Sequence, residues 1–444
     1  MKVCFYIDVK IRDLPAAKYL ARKVKKSYIL PVFRSSLVKG VTYKVQNKYS
    51  PDIVVTTAFN KERTQDIAVR ARESNSLLVE FTSEQYFSDI FNSEKLMGWN
   101  VNDRYKVDYY FCWGKSYAQK LIDIANVPSD RVFIIGSPKL ASTATNIEEK
   151  SSDTNNNVLL VSDYLFADYD RRRLSQWNKE YGFSVLYEEI EIIQKERRRA
   201  IETANELSQR GFSVSVRLHP GESPTLYREH LSPSVQLSLG DTPFNRDLEP
   251  AHLVIGYTTT AIFEIVGLKK RFVSLRNYGE LKVNYREFYK DVEKFTTEQL
   301  LNLTDSEFKG VGCGLGKTLE YYSANMLTKF DVDVAFAEAC RFLLEQEDAK
   351  HVRSQSYPLY ILIKFKCISY LNLIVRKLMA NTYFYSFSPK WLQSKAVNMT
   401  NSAHNMSQQD YDDFYSTLND DKLISDKFNF TLSDLGWVYR VDSE

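Results

Sequence analysis

The chain alternates between two hydrophobic periods. "KVCFYID" (2–8) is a short apolar, β-rich run, and "DLPAAKYLARKVKKS" then sets Leu14, Ala17, Leu20 and Val24 on one helical face. The pattern repeats: strands are predicted at "SYILPVF", "DIVVTTA" (52–58), "SLLVEFT" (76–82), "VDYYFCWG" (107–114) and "RVFIIGSP" (131–138), and helices at "NKERTQDIAVRARESN" and "KSYAQKLIDIANV". Strand–helix–strand alternation implies a parallel sheet covered on both faces, with right-handed crossovers. A Ser/Thr/Asn-rich linker, "ASTATNIEEKSSDTNNN" (141–157), interrupts it. The alternation resumes with "VLLVSDY", the long helix "EEIEIIQKERRRAIETANELSQRG" closed by Gly211 as its C-cap, and "FSVSVRLHP". "HLVIGY" (252–257), "TTTAIFEIVGL" and "KRFVSL" (270–275) complete a further strand–helix–strand unit.

The reading is therefore α/β: two Rossmann-like, doubly wound domains facing a cleft, followed by a helical extension. The expected boundaries are 1–150, 151–332 and 333–444. In such sheets ligands bind beyond the carboxyl ends of the strands. The extension begins with a helical pattern, "VDVAFAEACRFLLEQE", expected to pack back on the domains. It continues into "YPLYILIKFKCISYLNLIVRKLMANTYFYSFSPKWL" (357–392), basic and aromatic without acids, which reads as an interfacial segment.

Composition narrows the function classes. A 444-residue chain with 44% hydrophobic residues has enough apolar surface for two cores. A formal net charge of +3 speaks against a dedicated nucleic-acid binder. The 29 Tyr and 26 Phe are read mainly as packing residues. Cys4, Cys112, Cys313, Cys340 and Cys367 are scattered, odd in number and lack a CxxC pair, which fits a reducing compartment rather than a disulfide framework or metal cluster. The first ten residues lack a signal peptide's apolar core, and no run reaches the ~18 apolar residues of a membrane span, so the expected location is cytoplasmic.

Three stretches carry candidate chemistry. In "RLHPGE" (217–222) a strand ends in His219-Pro220, which puts an imidazole at the sheet's carboxyl edge, where it can donate to a phosphate or a departing oxyanion. Arg217 shares the face of His219 on an alternating strand, and Glu222 is read as a loop residue. In "GYTTTAIFEIVGL" (256–268) Tyr257, Thr258, Thr259 and Thr260 precede a helix whose free N–H groups would accept an anion; Glu264 shares a face with Thr260 and can bind ribose hydroxyls. An ordinary N-cap cluster is the alternative. In "VEFTSEQYFSD" (79–89) Glu80, Glu84 and Asp89 follow a strand end of the other domain and are candidates for a general base or nucleophile, or an acidic surface loop. "KERRRA" is read as a solvated helix face and "KGVGCGLGK" (309–317) as a loop. No HExxH or GxSxG appears.

"SEQYFSD", "VDYYFCWG", "RVFIIGSPK", "VSVRLHPGE" and "GYTTTAIFEIVGLKKRFVSL" come in an order that resembles bacterial surface-carbohydrate glycosyltransferases of GT-B type, over roughly residues 1–330. A His-Pro turn paired with a Ser/Thr cluster is similar to transferases of CMP-activated sugars such as Kdo and sialic acids. The resemblance implies a nucleotide-sugar donor, a glycan or lipid-linked acceptor at the inner membrane face, and no cofactor or metal. His219 would serve the leaving phosphate and Thr258–Thr260 would bind it. Glu264 would lie near the ribose, and Glu84, with Glu80 as the alternative, would face the acceptor. CDP-glycerol phosphotransferases also pair Arg-x-His-Pro with a later hydroxyl cluster, and a nucleotide-sugar epimerase or a non-catalytic capsule-assembly protein are further alternatives.

Overall fold

The computed structural model describes residues 1–7, 10–24, 26–31, 50–57, 61–82, 85, 107–144, 156–181, 187–219, 222–239, 244–278, 289, 291–308, 310–316, 318, 320, 322, 331–346, 430–433 and 436–439. The chain divides into two units, Met1–Gln85 with Gly98–Lys139 and Thr328–Glu444, and Tyr86–Met97 with Leu140–Leu327. Each is built on a six-stranded parallel sheet, so both doubly wound, Rossmann-like halves of the expected α/β fold are present.

In the first unit β1 (Lys2–Ile7), β2 (Lys26–Pro31), β3 (Ile53–Thr56), β4 (Leu77–Glu80), β5 (Tyr109–Cys112) and β6 (Val132–Ile134) run in the order β2-β1-β3-β4-β5-β6. All neighbours are parallel. The helices α1 (Lys10–Ala21), α2 (Lys61–Glu73) and α3 (Lys115–Asp123) form the crossovers. β3, β4 and β5 are buried at every position, which is why they read as continuous apolar runs rather than alternating ones.

The second sheet uses β7 (Asn157–Val161), β8 (Ser213–Arg217), β9 (Gln236–Ser238), β10 (Leu253–Gly256), β11 (Arg271–Leu275) and β12 (Lys294–Phe295), in the order β12-β11-β10-β7-β8-β9. The unit's longest described helix, Tyr187–Gln209, buries Ile193, Ala200, Ala204 and Leu207 at helical spacing against this sheet's core. Gly211 ends it as expected: its φ is +90°, and the following Phe212 N–H returns to the Leu207 carbonyl at 3.1 Å. The two-residue β12, the three-residue β9 and the helix Arg171–Tyr181 were not part of the sequence reading; the strands are too short for any hydrophobic period to register.

The helix at the start of the extension, Val332–Glu345, packs on the first sheet. Phe336 is fully buried, 5.7 Å from the ring of Phe5, stacked on Phe81 at 6.2 Å and edge-on to Phe111 at 5.7 Å. The abundant aromatics here serve the core. Phe430–Ser433 and Gly436–Tyr439 pair as an antiparallel ribbon. The interfacial reading of 357–392 lies outside the described residues, among which no helix is long and apolar enough to cross a membrane.

Candidate functional site

Both sheets reverse their winding at one place, and in doubly wound sheets that place opens a crevice beyond the carboxyl ends of the strands. In the second sheet it lies between β7 and β10. Val161 aligns with Arg217 on one side and with Gly256 on the other, and Gly256 with Ser274. The loops leaving β7, β8, β10 and β11 therefore depart from one row, carrying Ser162–Tyr164, His219–Glu222, Tyr257–Thr259 and Arg276. Two of the stretches singled out in the sequence, the His-Pro turn and the threonine cluster, are thus brought to one edge.

The turn after β8 is anchored by the residue the sequence reading assigned least to. Glu222 does lie in the loop, but it is buried rather than solvated. It accepts the Tyr164 N–H at 2.6 Å, the Ser162 hydroxyl at 2.6 Å and the Tyr227 hydroxyl at 2.7 Å, and its own N–H closes the turn on the His219 carbonyl at 2.9 Å. This staples the His219 loop to the end of β7. Burial pushes the Glu222 pKa up; the three donors and, at longer range, the Arg197 charge pull it back. His219 itself is half-buried, and Pro220 lies outside the described residues. Arg217 is buried in an ion pair with Asp247, with its guanidinium 5.3 Å from the Phe244 ring centroid; Asp247 also accepts from the Ser238 hydroxyl at 2.8 Å.

The threonines do not cap a helix in the way expected. The helix spans only Ile262–Gly267, its N-cap is Ala261 without a side-chain cap bond, and Thr259 Oγ1 instead accepts from the Ala261 N–H at 3.1 Å. Both backbone groups of Thr259 are taken by Tyr289, whose hydroxyl accepts from the N–H at 2.6 Å and donates to the carbonyl at 2.7 Å. Thr258 Oγ1 accepts from Arg276 Nη2 at 2.7 Å, and Thr260 is half-buried. Tyr257 is fully buried, its ring 5.6 Å from that of Tyr164 and 3.9 Å from Arg276 Cζ. Glu264 is buried too. Burial and, after it, the Glu264 charge raise the pKa of Tyr322 to about 12.

"KERRRA" is only partly a solvated face. Lys195 and Arg198 are exposed, but Glu196 and Arg197 are buried. Arg197 pairs with Asp168 at 2.7 Å. Glu196 accepts the N–H groups of Asn277 and Tyr278 at 2.8 and 2.7 Å and the Asn277 amide at 3.0 Å. A helix placed between sheet and loops buries a stripe wider than its apolar residues, and the carboxylate fixes the turn after β11.

In the first sheet the reversal lies between β1 and β3. Phe5, Ala16, Ala17, Leu20, Val55 and Phe81 line an apolar cleft there, with Thr57, Thr82 and Trp113. Thr57 donates within 2.9 Å to the Tyr6 carbonyl and the buried Asp13 carboxylate. Glu80 ends β4 fully buried. It accepts the Thr82 N–H at 3.2 Å and the Tyr117 hydroxyl at 3.3 and 3.4 Å, and burial pushes its pKa to about 7 against those bonds. Gln85 pins the following segment, donating to the Phe111 carbonyl at 2.9 Å and accepting from the Trp113 N–H at 2.6 Å. Glu84 and Asp89 lie outside the described residues.

Arg276, Glu196, Tyr164, Tyr117 and Gln85 were not found by sequence reasoning. Arg276 and Tyr164 do share a signal with His219: each lies at or just past the carboxyl end of a predicted strand.

No protein-family model matches the chain, and no curated protein matches it. Solved structures do. UDP-GlcNAc 2-epimerase from Neisseria meningitidis bound to UDP-GlcNAc is 13% identical over 86% of this chain and 100% of that one, with a TM-score of 0.38. HepE from Anabaena in complex with UDP is 12% identical over 78% and 100%, with a TM-score of 0.39. The wall teichoic acid polymerase TagF is 12% identical over 78% and 90%, with a TM-score of 0.48.

Proposed function

We propose that the chain is a glycosyltransferase that moves a sugar from a nucleotide-activated donor, CMP-linked and of Kdo or sialic type, to a surface polysaccharide or lipid-linked acceptor. The observation that carries the proposal is the reversal point of the second sheet, where His219, the Tyr257–Thr259 hydroxyls and Arg276 follow three of the four aligned strands. Cations, hydroxyls and aromatic faces at such a crevice suit a nucleoside phosphate.

The bond from the anomeric carbon to the phosphate oxygen breaks through an oxocarbenium-like transition state, and its electron pair leaves with the phosphate. His219 stabilises that negative charge, and the acceptor hydroxyl forms the new bond as it loses its proton. Glu84 takes this proton. Glu80, the alternative acid, is enclosed beneath Thr82 and Tyr117.

The test is thermal unfolding with CMP, CDP, UDP, GDP or PRPP present. A ligand of the native state at 100 times its Kd adds about 2.7 kcal/mol. CMP is expected to raise the midpoint most; a chain indifferent to every nucleotide sinks the proposal. A CDP-glycerol phosphotransferase would use the same Arg-x-His-Pro turn, and its product would carry a phosphodiester where a transferase of CMP-sugars leaves a glycosidic bond.

A further inference from the structure

Arg276 follows the last residue of β11 and is held from two sides. Its N–H donates to the Phe295 carbonyl at 2.7 Å, extending the pairing of β11 with β12. The next two residues are clamped by Glu196, and the Asn277 side chain accepts the Thr297 N–H at 2.7 Å. The backbone at this position therefore has little freedom to move.

The side chain is less well served. Its guanidinium lies against the Tyr257 ring, and Nη2 donates to Thr258 Oγ1 at 2.7 Å. Nε and Nη1 are buried without a hydrogen-bond partner. The nearby acids are committed elsewhere: Glu196 to Asn277 and Tyr278, Glu222 to Ser162, Tyr164 and Tyr227. Among the described residues the cation thus has a hydroxyl and an aromatic face for company and no ion pair. Leaving guanidinium donors dry and unpaired is costly, and an apolar side chain of the same size would be less so. A fold that fixes such a group beside the crevice of a doubly wound sheet leaves two donors that an acceptor arriving from outside would satisfy.

We propose that Arg276 binds an oxyanion of the ligand, a nucleotide phosphoryl or a sugar carboxylate, through Nε–H and Nη1–H. The identity of the ligand rests on the nucleotide-donor reading above. Thr258 and Tyr257 hold the guanidinium ready, and the incoming oxygens complete its hydrogen bonding.

The experiment compares wild type with Arg276→Met and Arg276→Lys. Each is measured by thermal unfolding without ligand and by calorimetric titration with cytidine, CMP, a CMP-linked acidic sugar and inorganic pyrophosphate. Without ligand, Arg276→Met is expected to be at least as stable as wild type, because no internal hydrogen-bond acceptor loses an essential donor except Thr258. Binding is expected to weaken on the order of 10- to 100-fold, the size of a charge-assisted hydrogen bond or two, with cytidine unaffected. Loss for CMP and pyrophosphate assigns the phosphoryl group; loss for the CMP-sugar alone assigns the sugar carboxylate. Arg276→Lys, which keeps the charge but not the donor set, should recover only part.

Undiminished binding of CMP and CMP-sugar by Arg276→Met overturns the inference and leaves the nucleotide reading intact. Pyrophosphate bound through Arg276 without any nucleotide binding overturns that reading and leaves the inference standing. A loss of stability in Arg276→Met with unchanged anion binding marks a structural arginine and also overturns it.

Discussion

At the carboxyl edge of the first sheet Glu80 meets neutral, distant donors, the Thr82 N–H at 3.2 Å and the Tyr117 hydroxyl at 3.3 Å. At the same edge of the second sheet Glu222 receives three donors at 2.6 to 2.7 Å. Burial raises the pKa of both acids, but only for Glu222 does a cation, Arg197, oppose it. The same secondary structure thus yields two electrostatic settings. One enclosed acid is poised near neutrality beside an apolar cleft; the other is a braced part of a polar edge with His219 and Arg276. Under the proposed function the polar edge of the second sheet would stabilise the leaving charge, and the enclosed acid of the first would border the segment proposed to take the proton.

The sharpest way to break that division is His219→Ala. If the leaving group is served there, turnover falls about 100- to 1,000-fold while the midpoint of unfolding stays near wild type. Loss below about tenfold would move the leaving-group chemistry away from the second sheet. A smaller effect, on folding, is expected from Glu222→Ala. It strips the acceptor from Ser162, Tyr227 and the Tyr164 N–H, so urea unfolding should show a loss of about 3 kcal/mol. Glu222→Gln keeps one carbonyl acceptor and should recover part. If Glu80→Ala cost as much as Glu222→Ala, the two edges would not differ in the way their distances imply.

Periodicity made the fold legible because parallel strands buried on both faces are continuous apolar runs, as β3, β4, β5 and β10 are. It could not reveal β9 and β12, whose pairing with longer neighbours does what their own residues do not. At the site, His219 stood out by its place after a strand. Glu222 and Glu196 did not, because a carboxylate in a loop or a charged helix reads as solvated until the packing around it is known. Arg276 was hidden for the same reason. What distinguishes it is not its type but the acceptors it lacks, and a deficit of partners exists only in three dimensions. The threonines carried the opposite error: residue types favoured at N-caps were read as a helix start, whereas Thr259 bonds into a local turn and the helix begins three residues later.

The subtlest difference between the edges is one of protons, and Glu80→Gln measures it. An acid whose pKa rises on folding from an ordinary 4.5 to about 7 binds more protons native than unfolded across that window. Stability from this source is therefore present at low pH, falls as pH climbs through the window and is fully lost above it. Glutamine has no proton to lose yet can still accept from Tyr117 and the Thr82 N–H. Plotted against pH, unfolding free energies from urea titrations should run level between the two proteins below pH 4.5 apart from a constant offset. Wild type should then decline relative to the variant up to about pH 7, and the gap should hold beyond. Curves that stay parallel would mean that Glu80 ionises as a wet carboxylate does, and the first edge would lose the feature that sets it apart. Glu222→Gln, measured over the same range, should diverge less, because in that site the donors and Arg197 already favour the charged form.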